Sequence, residues 1–345
     1  MKKIVIVLVG MLLMACTMIT IGVKHDSPNF KDGTFRNKSG VEALSLWEMI
    51  WADDGNIEMA EWPDSVETQV DEEPLKVFNS SDIRVTFINH ATFLIQTANL
   101  NILTDPVFSE RVSPLSFAGP KRIHKPGIDI ENLPEIDVVI ISHDHYDHLD
   151  LASANKLIKR DNPKVYVGLG LAKILTPSSN VTEMDWWESI QVTDNFKLWF
   201  LDVQHNSGRS IINRNSTLWG GFMLQVGDKN IYFGGDSGYA DHYQRTYEHF
   251  GPVDLAFIPI GAYSPRNIFK RVHMDPYDAV QAHIDLKAKL SIGMHYGTFQ
   301  LTAESHTEPV ELLEKAKFDA DIPADEFITL DIGKPFNFLG SPSKY

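Results

Sequence analysis

The amino-acid sequence predicts an α/β domain in which helices cover the faces of β-sheets. Between residues 81 and 345, strand-like segments rich in β-branched and aromatic residues alternate with helix-like segments, which is the pattern of that class. The chain is 43% hydrophobic and 22% charged, so it can bury a sizeable core. Its formal net charge of −15 disfavours nucleic acid as a partner, because phosphates are bound mainly through clustered Lys and Arg.

Residues 1–23 have the features of a secretory leader or a membrane anchor. The first 16 residues, MKKIVIVLVGMLLMAC, start with a basic pair, continue with an apolar run and end at Cys16, the single cysteine of the chain. This order resembles a bacterial lipoprotein signal, which implies removal of the leader and lipidation of Cys16. The apolar run from Ile4 to Val23 is also long enough for one uncleaved membrane-spanning helix. Both alternatives predict a catalytic body outside the cytoplasm, attached to a membrane of the bacterial cell envelope.

Residues 24–80 are predicted to form an N-terminal arm ahead of a catalytic domain at 81–345. The arm begins with a polar stretch and then contains GVEALSLWEMIWADD, where Leu44, Trp47 and Trp51 predict a short amphipathic aromatic helix. Such a helix can dock into a membrane surface, roof a lipid-binding groove or pack on the parent domain. The sequence leaves these alternatives open.

Regular strand patterning begins at Ile83, where RVTFINHATFLIQTANLNILTDP predicts short strands separated by turns. After a loop rich in Pro and Gly, the buried-strand run from Ile136 to Ile141 leads into SHDHYDHLD. The next segment, LASANKLIKR, has helical spacing and basic residues in its last turn. The histidine-rich segment is therefore expected on a strand-to-helix loop, a position where a rigid sheet often holds catalytic groups.

That loop contains three imidazoles and a carboxylate within six residues, at His143, His145, Asp147 and His148. Imidazole nitrogen and carboxylate oxygen are ligands that Zn²⁺ accepts. Residues two apart on an extended turn project to the same side. We therefore expect His143 and His145 to bind one ion, and Asp147 and His148 beyond the bend to face a second.

Three later strand-like segments end in further residues of the same types. His205 comes shortly after KLWFL, Asp236 follows NIYFGG, and His295 follows LSIGM. Each of them alone is compatible with a core histidine or a turn-forming aspartate. Together with the histidine-rich loop, they complete a seven-ligand set for a two-metal site.

The order HxHxDH, followed by His, Asp and His at strand ends, resembles the metallo-β-lactamase fold. This resemblance implies a four-layer αββα sandwich, with metal ions at one edge, and a hydrolytic activity. Between about Arg84 and Glu308 the chain also contains INHATFLIQ, ILTDPVFS, GPKR, SHDHYDHLD, LWGGF, GDSGY, PIGAYSPR, HMDPYDAV and MHYGTFQL, in that order. Together these segments resemble the N-acylphosphatidylethanolamine-hydrolysing phospholipase D group.

The closer resemblance implies two zinc sites that share one carboxylate. One site has His143, His145 and His205, the other has Asp147, His148 and His295, and Asp236 bridges them. Iron or manganese suits the same types of ligand.

The implied substrate is a phospholipid of the N-acylphosphatidylethanolamine type, cleaved at a phosphodiester. Two metal ions can lower the pKa of a shared water and stabilise charge on the phosphodiester oxygens, so no nucleophilic side chain is required. The predicted catalytic residues are Asp147, as a ligand, and His273 in KRVHMDP. His273 matches a histidine beside the metals that can protonate the leaving oxygen, or it has only a structural role at a helix start. Asp105 in LTDP is predicted to accept the ring N–H of a ligating imidazole, although an Asp-Pro turn needs no such role.

Two other functions fit parts of the sequence. A metal-dependent lactonase or carboxylic ester hydrolase, resembling the ascorbate-6-phosphate lactonase group, uses the same ligands, so the ligands do not distinguish it from a phospholipase. A non-catalytic envelope binding protein with this fold is expected to have lost at least one ligand, and all seven are present. The sequence does not predict the oligomeric state.

Overall fold

The computed structural model describes residues 26–45, 48–49, 52, 57–68, 82–97, 99–177, 180–210 and 212–338. Cys16 and the rest of the predicted leader lie outside these ranges. Trp47 and Trp51 of the predicted aromatic helix lie outside them too, so both features stay predictions. Within the described ranges, no helix is long and apolar enough to cross a membrane.

Two seven-stranded sheets form the body of the described chain, and a short hairpin precedes them. The hairpin consists of β1 (Phe30–Lys31) and β2 (Thr34–Phe35). The first sheet contains β3 (Ile83–Asn89), β4 (Thr92–Thr97), β5 (Leu100–Thr104), β6 (Val138–Ile141), β7 (Lys164–Gly168), β8 (Val181–Met184) and β16 (Pro335–Phe338), in the order β16-β3-β4-β5-β6-β7-β8. The second contains β9 (Ser189–Thr193), β10 (Phe196–Leu201), β11 (Gly221–Val226), β12 (Lys229–Phe233), β13 (Leu255–Pro259), β14 (Leu290–Met294) and β15 (Phe327–Ile328), in the order β15-β14-β13-β12-β11-β10-β9.

The strand directions bring the carboxyl ends of several strands together at one edge of each sheet. In the first sheet, β3 and β5 each pair antiparallel with β4, and β5 pairs parallel with β6. The carboxyl ends of β3, β5 and β6 therefore lie at the same edge. In the second sheet, β10 and β12 each pair antiparallel with β11, and β12, β13 and β14 run parallel. The carboxyl ends of β10, β12 and β14 therefore also lie together.

Helices cover the outer face of each sheet. They are α1 (Leu151–Asp161), α2 (His242–Phe250), α3 (Arg266–Phe269), α4 (Pro276–Leu286) and α5 (Glu308–Asp319). On the first sheet, Leu157 of α1 belongs to the same apolar cluster as Leu103 and Val139. On the second sheet, α2, α4 and α5 contribute to a cluster that also contains Ala256 and Ile258 of β13.

The alternation of side chains along the strands separates the layers. Ile102 and Ile140, whose chain neighbours face α1, point to the other side of the first sheet and join Phe222 and Phe257 of the second sheet in the central core. Residues two apart on a strand share a face, so each strand supplies both the central and an outer apolar layer. The four-layer αββα sandwich predicted from the sequence is confirmed.

Candidate metal centre

The seven predicted ligands come together at the edge where the carboxyl ends of both sheets meet. Four of them lie on the loop between β6 and α1, and the others follow β10, β12 and β14. Gly235, with a φ of 56°, allows this convergence, because a Cβ there would lie 2.7 Å from the Cβ of Ser142. His145 and Asp147 are partly exposed and the other five are buried. The site is therefore open to solvent on the side of His145 and Asp147.

Three ring nitrogens face one another in the first group of ligands. His143 Nε2 lies 2.8 Å from His145 Nδ1, and His205 Nε2 lies 3.3 Å from the same His145 Nδ1. The carboxylate of Asp236 joins the group, with Oδ2 at 3.8 Å from His143 Nε2 and 3.7 Å from His205 Nε2. These atoms are close enough to surround one cation.

Hydrogen bonds on the far sides of two rings determine which nitrogen carries the proton. His205 Nδ1 lies 2.9 Å from the Val272 carbonyl, which only accepts, so Nδ1 donates and Nε2 keeps its lone pair. Ser142 Oγ donates to Asp105 Oδ2 at 2.6 Å, and it is therefore free to accept from His143 Nδ1 at 2.9 Å. Both Nε2 lone pairs thus point towards the centre, as metal binding requires.

Burial keeps this first group uncharged. It lowers the pKa of His145 to about 3 and that of His205 to about 4. Burial, reinforced by the neighbouring His148 and His145, also lowers the pKa of His143 well below its usual range. All three imidazoles are therefore neutral at pH 7, which is the state in which imidazole binds a metal.

The second group combines two histidines with two carboxylates. His295 Nε2 lies 3.0 Å from Asp236 Oδ1 and 3.3 Å from Asp147 Oδ2. His148 Nε2 lies 3.1 Å from Asp236 Oδ2 and 3.6 Å from Asp147 Oδ2. Despite these short ion-pair distances, His148 Nε2 and Asp236 Oδ1 are buried and make no well-directed hydrogen bond within the described ranges. Buried polar atoms rarely lack a partner, and this donor set suits a divalent metal ion.

Without a cation, protons balance the charge of the second group. Burial alone would lower the pKa of His295, but Asp236 and Asp147 raise it to about 9. Burial acts against protonation of His148 as well, yet the same two carboxylates raise its pKa well above the usual range. Burial would also raise the pKa of Asp236, but the charges of His148 and His295 hold it well below the usual range. The second group is thus built for positive charge, whether protons or a metal ion supply it.

Asp105 is fully buried and holds the His148 ring from behind. Its Oδ2 accepts from His148 Nδ1 at 2.7 Å, and its Oδ1 accepts from the backbone N–H of Ser142 at 2.7 Å. This contact directs His148 Nε2 towards Asp236. An imidazole held by a carboxylate in this way is a more basic and better oriented ligand.

Two further histidines border the ligands. A ring nitrogen of His273 lies within 4.8 Å of a carboxylate oxygen of Asp236 and a ring nitrogen of His295, and these three atoms form a further group that could surround a cation. His90, in the turn between β3 and β4, donates from Nε2 to Asp147 Oδ2 at 3.0 Å. Burial lowers the pKa of His90 to about 3, so the neutral ring makes this bond. Nothing local in INHATFLIQ marks His90 as a neighbour of Asp147, because this contact depends on the tertiary structure.

Two partly exposed arginines near the ligand loops make structural contacts. Arg209 stacks on the Tyr146 ring at 3.8 Å and donates from Nη1 to the carbonyls of Asp144 and Leu149. Arg266 forms ion pairs with Asp275 and Asp278. Both guanidinium groups therefore have partners within the protein and do not need a bound substrate phosphate to neutralise them.

Comparisons with known proteins agree with this arrangement. Residues 100–296 match the β-lactamase superfamily domain. The chain is 40% identical over 272 residues to N-acyl-phosphatidylethanolamine-hydrolyzing phospholipase D 1 of Caenorhabditis elegans. This alignment covers 74% of this chain and 76% of that protein. It is 37% identical over 237 residues to the mitochondrial N-acyl-phosphatidylethanolamine-hydrolyzing phospholipase D of Saccharomyces cerevisiae, which covers 65% of this chain and 50% of that protein.

A solved structure of low sequence identity has the same fold. The structure of Igni18, a metallo hydrolase from the archaeon Ignicoccus hospitalis, superimposes with a TM-score of 0.57 at 19% identity. The match covers 75% of this chain and 100% of the Igni18 chain. At this level of identity the likeness concerns the fold alone.

Proposed function

Since this chain belongs to the metallo-β-lactamase superfamily, and within it to the N-acylphosphatidylethanolamine-hydrolysing phospholipase D-like group, we propose that it is a membrane-tethered dizinc phosphodiesterase acting on N-acylphosphatidylethanolamine-like phospholipids. That it is a metal-dependent hydrolase follows from its family and its His/Asp clusters. The observation that carries the finer proposal is the position of Asp236 between the two groups, since its oxygens lie 3.7 and 3.8 Å from His205 and His143 Nε2 and 3.0 and 3.1 Å from His295 and His148 Nε2.

The proposed ligand sets follow the two groups. His143, His145 and His205 would hold one zinc ion; Asp147, His148 and His295 would hold the other; and Asp236 would contact both. When bound, two such ions lower the pKa of a water and stabilise charge on phosphodiester oxygens.

The chain's own groups orient the ligands and border the open side. Asp105 holds His148 through its Nδ1–H, and His90 holds one oxygen of Asp147. His273 lies beside Asp236 and His295, where a neutral imidazole can donate a hydrogen bond to the leaving oxygen. Because a metal-activated water would be the nucleophile, the proposed reaction needs no nucleophilic side chain.

Zinc binding to the metal-free protein is expected to load two ions per chain and to release protons. His148 and His295 hold protons at pH 7, whereas His143, His145 and His205 are neutral, so about two protons should leave as the second group is filled. Because the metal competes with protons on His295, whose pKa is about 9, the affinity for zinc should rise from pH 6 towards pH 9. Elemental analysis gives the stoichiometry, and calorimetry in buffers of different ionisation enthalpy counts the protons. A single ion per chain, or binding without proton release, would contradict the dizinc assignment.

A protruding loop beside the metal centre supports a lipid substrate. Residues 109–122 form a finger that is closed by backbone hydrogen bonds from Val112 to Pro120 at 3.1 Å and from Arg122 to Glu110 at 2.9 Å. At its tip, the Phe117 side chain is 77% exposed. At the base of the finger, Arg122 lies over the Phe299 ring, whose centroid is 5.4 Å from that of His90 beside the ligands. An exposed aromatic side chain on a loop whose base lies near the site is suited to insertion into a lipid surface.

The substrate is tested by assaying purified enzyme on N-acylphosphatidylethanolamine in vesicles, on the same lipid in detergent micelles and on lactones. We expect turnover of the phospholipid, with phosphatidic acid as the product. Phe117→Ser should lower turnover on dilute vesicles about tenfold, which corresponds to about 1.4 kcal/mol of lost apolar burial, and should leave turnover in micelles unchanged. Turnover of lactones alone would refute the phospholipase proposal.

The proposed tether is tested separately by cell fractionation. If Cys16 is lipidated, mass spectrometry of the enzyme from the membrane fraction should show a chain that begins at Cys16 and carries acyl groups there. A membrane-bound chain that still contains residues 1–15 would favour the uncleaved anchor, and a wild-type enzyme found in the soluble fraction would contradict any tether.

A further inference from the structure

A segment of the N-terminal arm lies across the loop that carries His205. This segment, residues 35–44, is here named the strap. One end is fixed by Phe35, which donates its backbone N–H to the Asn215 carbonyl at 2.8 Å. The other end is fixed by Arg214, whose Nη2 donates to the Leu44 carbonyl at 2.9 Å. Both partners belong to the stretch that follows His205, so the strap is integrated into the catalytic domain at this point.

Within the strap, the side-chain amide of Asn37 binds both the backbone N–H and the backbone carbonyl of His205. Its Nδ2 donates to the His205 carbonyl at 2.8 Å, and its Oδ1 accepts from the His205 N–H at 3.1 Å. The asparagine is buried, with 5% of its surface exposed, so these bonds are shielded from water. The Asn37 backbone N–H donates to Glu42 Oε1 at 3.0 Å, and Asn37 Nδ2 also donates to the Val41 carbonyl at 3.0 Å.

The neighbours of Asn37 bind residues that are not predicted ligands. Lys38 Nζ lies 3.3 Å from Asp202 Oδ1, and Ser39 Oγ donates to Gln204 Oε1 at 2.5 Å. Ser39 is thus in the same strap and binds the residue next to His205 without contacting His205 itself. It provides a matched control for Asn37.

We propose that Asn37 is a positioning residue for the metal centre, because it holds the backbone of His205 so that Nε2 points at His143, His145 and Asp236. This inference rests on the proposed role of His205 as a ligand. The His205 ring is bonded at Nδ1 to the Val272 carbonyl. With ring and backbone both held, His205 has little freedom to turn its lone pair away from the ion. Losing an outer partner of a metal ligand typically weakens metal affinity about 10- to 100-fold.

The test compares cobalt binding by the full-length Asn37→Ala, Ser39→Ala and wild-type proteins. Competition with a chromophoric chelator gives the two dissociation constants, and the visible absorption of cobalt reports the coordination of each ion. We expect Asn37→Ala to weaken one of the two ions about 10- to 100-fold and to change its absorption, and Ser39→Ala to match the wild type in both respects. Turnover should then recover at saturating cobalt more fully than at limiting cobalt.

Two further variants keep the outcome interpretable. Asn37→Asp keeps the acceptor for the His205 N–H and loses the donor to the His205 carbonyl. Thermal unfolding of the metal-free protein shows whether Asn37→Ala folds. If it does not, Asn37→Asp decides the question, and we expect it to bind cobalt more weakly than Ser39→Ala does. Cobalt binding equal to that of Ser39→Ala would overturn the role of Asn37. His205→Ala distinguishes the failure of this inference from the failure of the proposed ligand set. If His205→Ala still binds both ions as the wild type does, the ligand set is refuted. If His205→Ala loses one ion while Asn37→Ala binds both as the wild type does, only the positioning role is refuted.

Discussion

Asp236→Asn should lower turnover about a thousandfold or more and prevent the enzyme from holding two metal ions. The Asp236 oxygens lie 3.0 Å from His295 Nε2 and 3.1 Å from His148 Nε2, and the carboxylate is buried among the ligands of both groups. Replacing it with a neutral amide removes the one negative charge that both groups share. Metal ions supply several kcal/mol of transition-state stabilisation, and each 1.36 kcal/mol corresponds to about tenfold in rate.

Metal content and thermal unfolding separate this effect from a general loss of stability. Zinc that binds only the folded state raises its stability by about 2.7 kcal/mol at a hundred times the dissociation constant, so zinc should raise the Tm of the wild type and have little effect on that of Asp236→Asn. The matched control is Asp254→Asn. Asp254 is also a buried carboxylate of the second sheet, but it precedes β13 at the opposite edge, where it pairs with Lys289 at 2.6 Å. Two zinc ions and wild-type turnover in Asp236→Asn would refute the shared-carboxylate site.

The layered fold was predictable because it depends on local patterns. In β5, Ile102 and Leu103 point to opposite faces of the sheet and are both buried, so the strand shows the continuous apolar run expected of a sheet covered on both sides. The helix α1 lies where helical spacing predicted it, over LASANKLIKR. The closeness of the loops after β12 and β14 follows from the rule that parallel strands end at one edge, whereas their meeting with the loop after β6 depends on how the two sheets pack.

Contacts between distant segments could not be predicted in the same way. Asn37 binds His205 across 168 positions, and His90 binds Asp147 across 57. No local period or spacing marks such pairs, because they depend on where two loops meet after the sheets have packed. The sequence of the strap, with Asn37 in a polar stretch, is typical of a surface loop, whereas the structure buries this side chain. Residues that orient the ligands were therefore harder to recognise than the ligands themselves.

His273→Ala should lower kcat about 100- to 1,000-fold while the enzyme keeps both metal ions, as expected for the loss of a proton donor or hydrogen-bond donor to the leaving oxygen. The backbone of His273 is held at both ends: its N–H donates to the Phe269 carbonyl at 2.9 Å, and its carbonyl accepts from Arg266 Nη1 at 2.9 Å. Its ring lies between those of His205 and His295, at centroid distances of 5.2 and 5.5 Å. Its Nδ1 is buried and lacks a hydrogen-bond partner within the described ranges. The residue as a whole is partly exposed, so the part of the held ring that reaches solvent is available to a substrate.

The pH dependence and the metal content distinguish this role from the alternatives. Burial lowers the pKa of His273 well below its usual range, so the neutral ring acts by donating its N–H, and kcat should not fall between pH 6 and 8 through titration of His273. His249→Ala is the control, because His249 lies on α2, where it packs against Trp187 and Trp199. Loss of an ion in His273→Ala would make His273 a ligand, in keeping with its place beside Asp236 and His295. Full turnover with both ions retained would remove His273 from the mechanism.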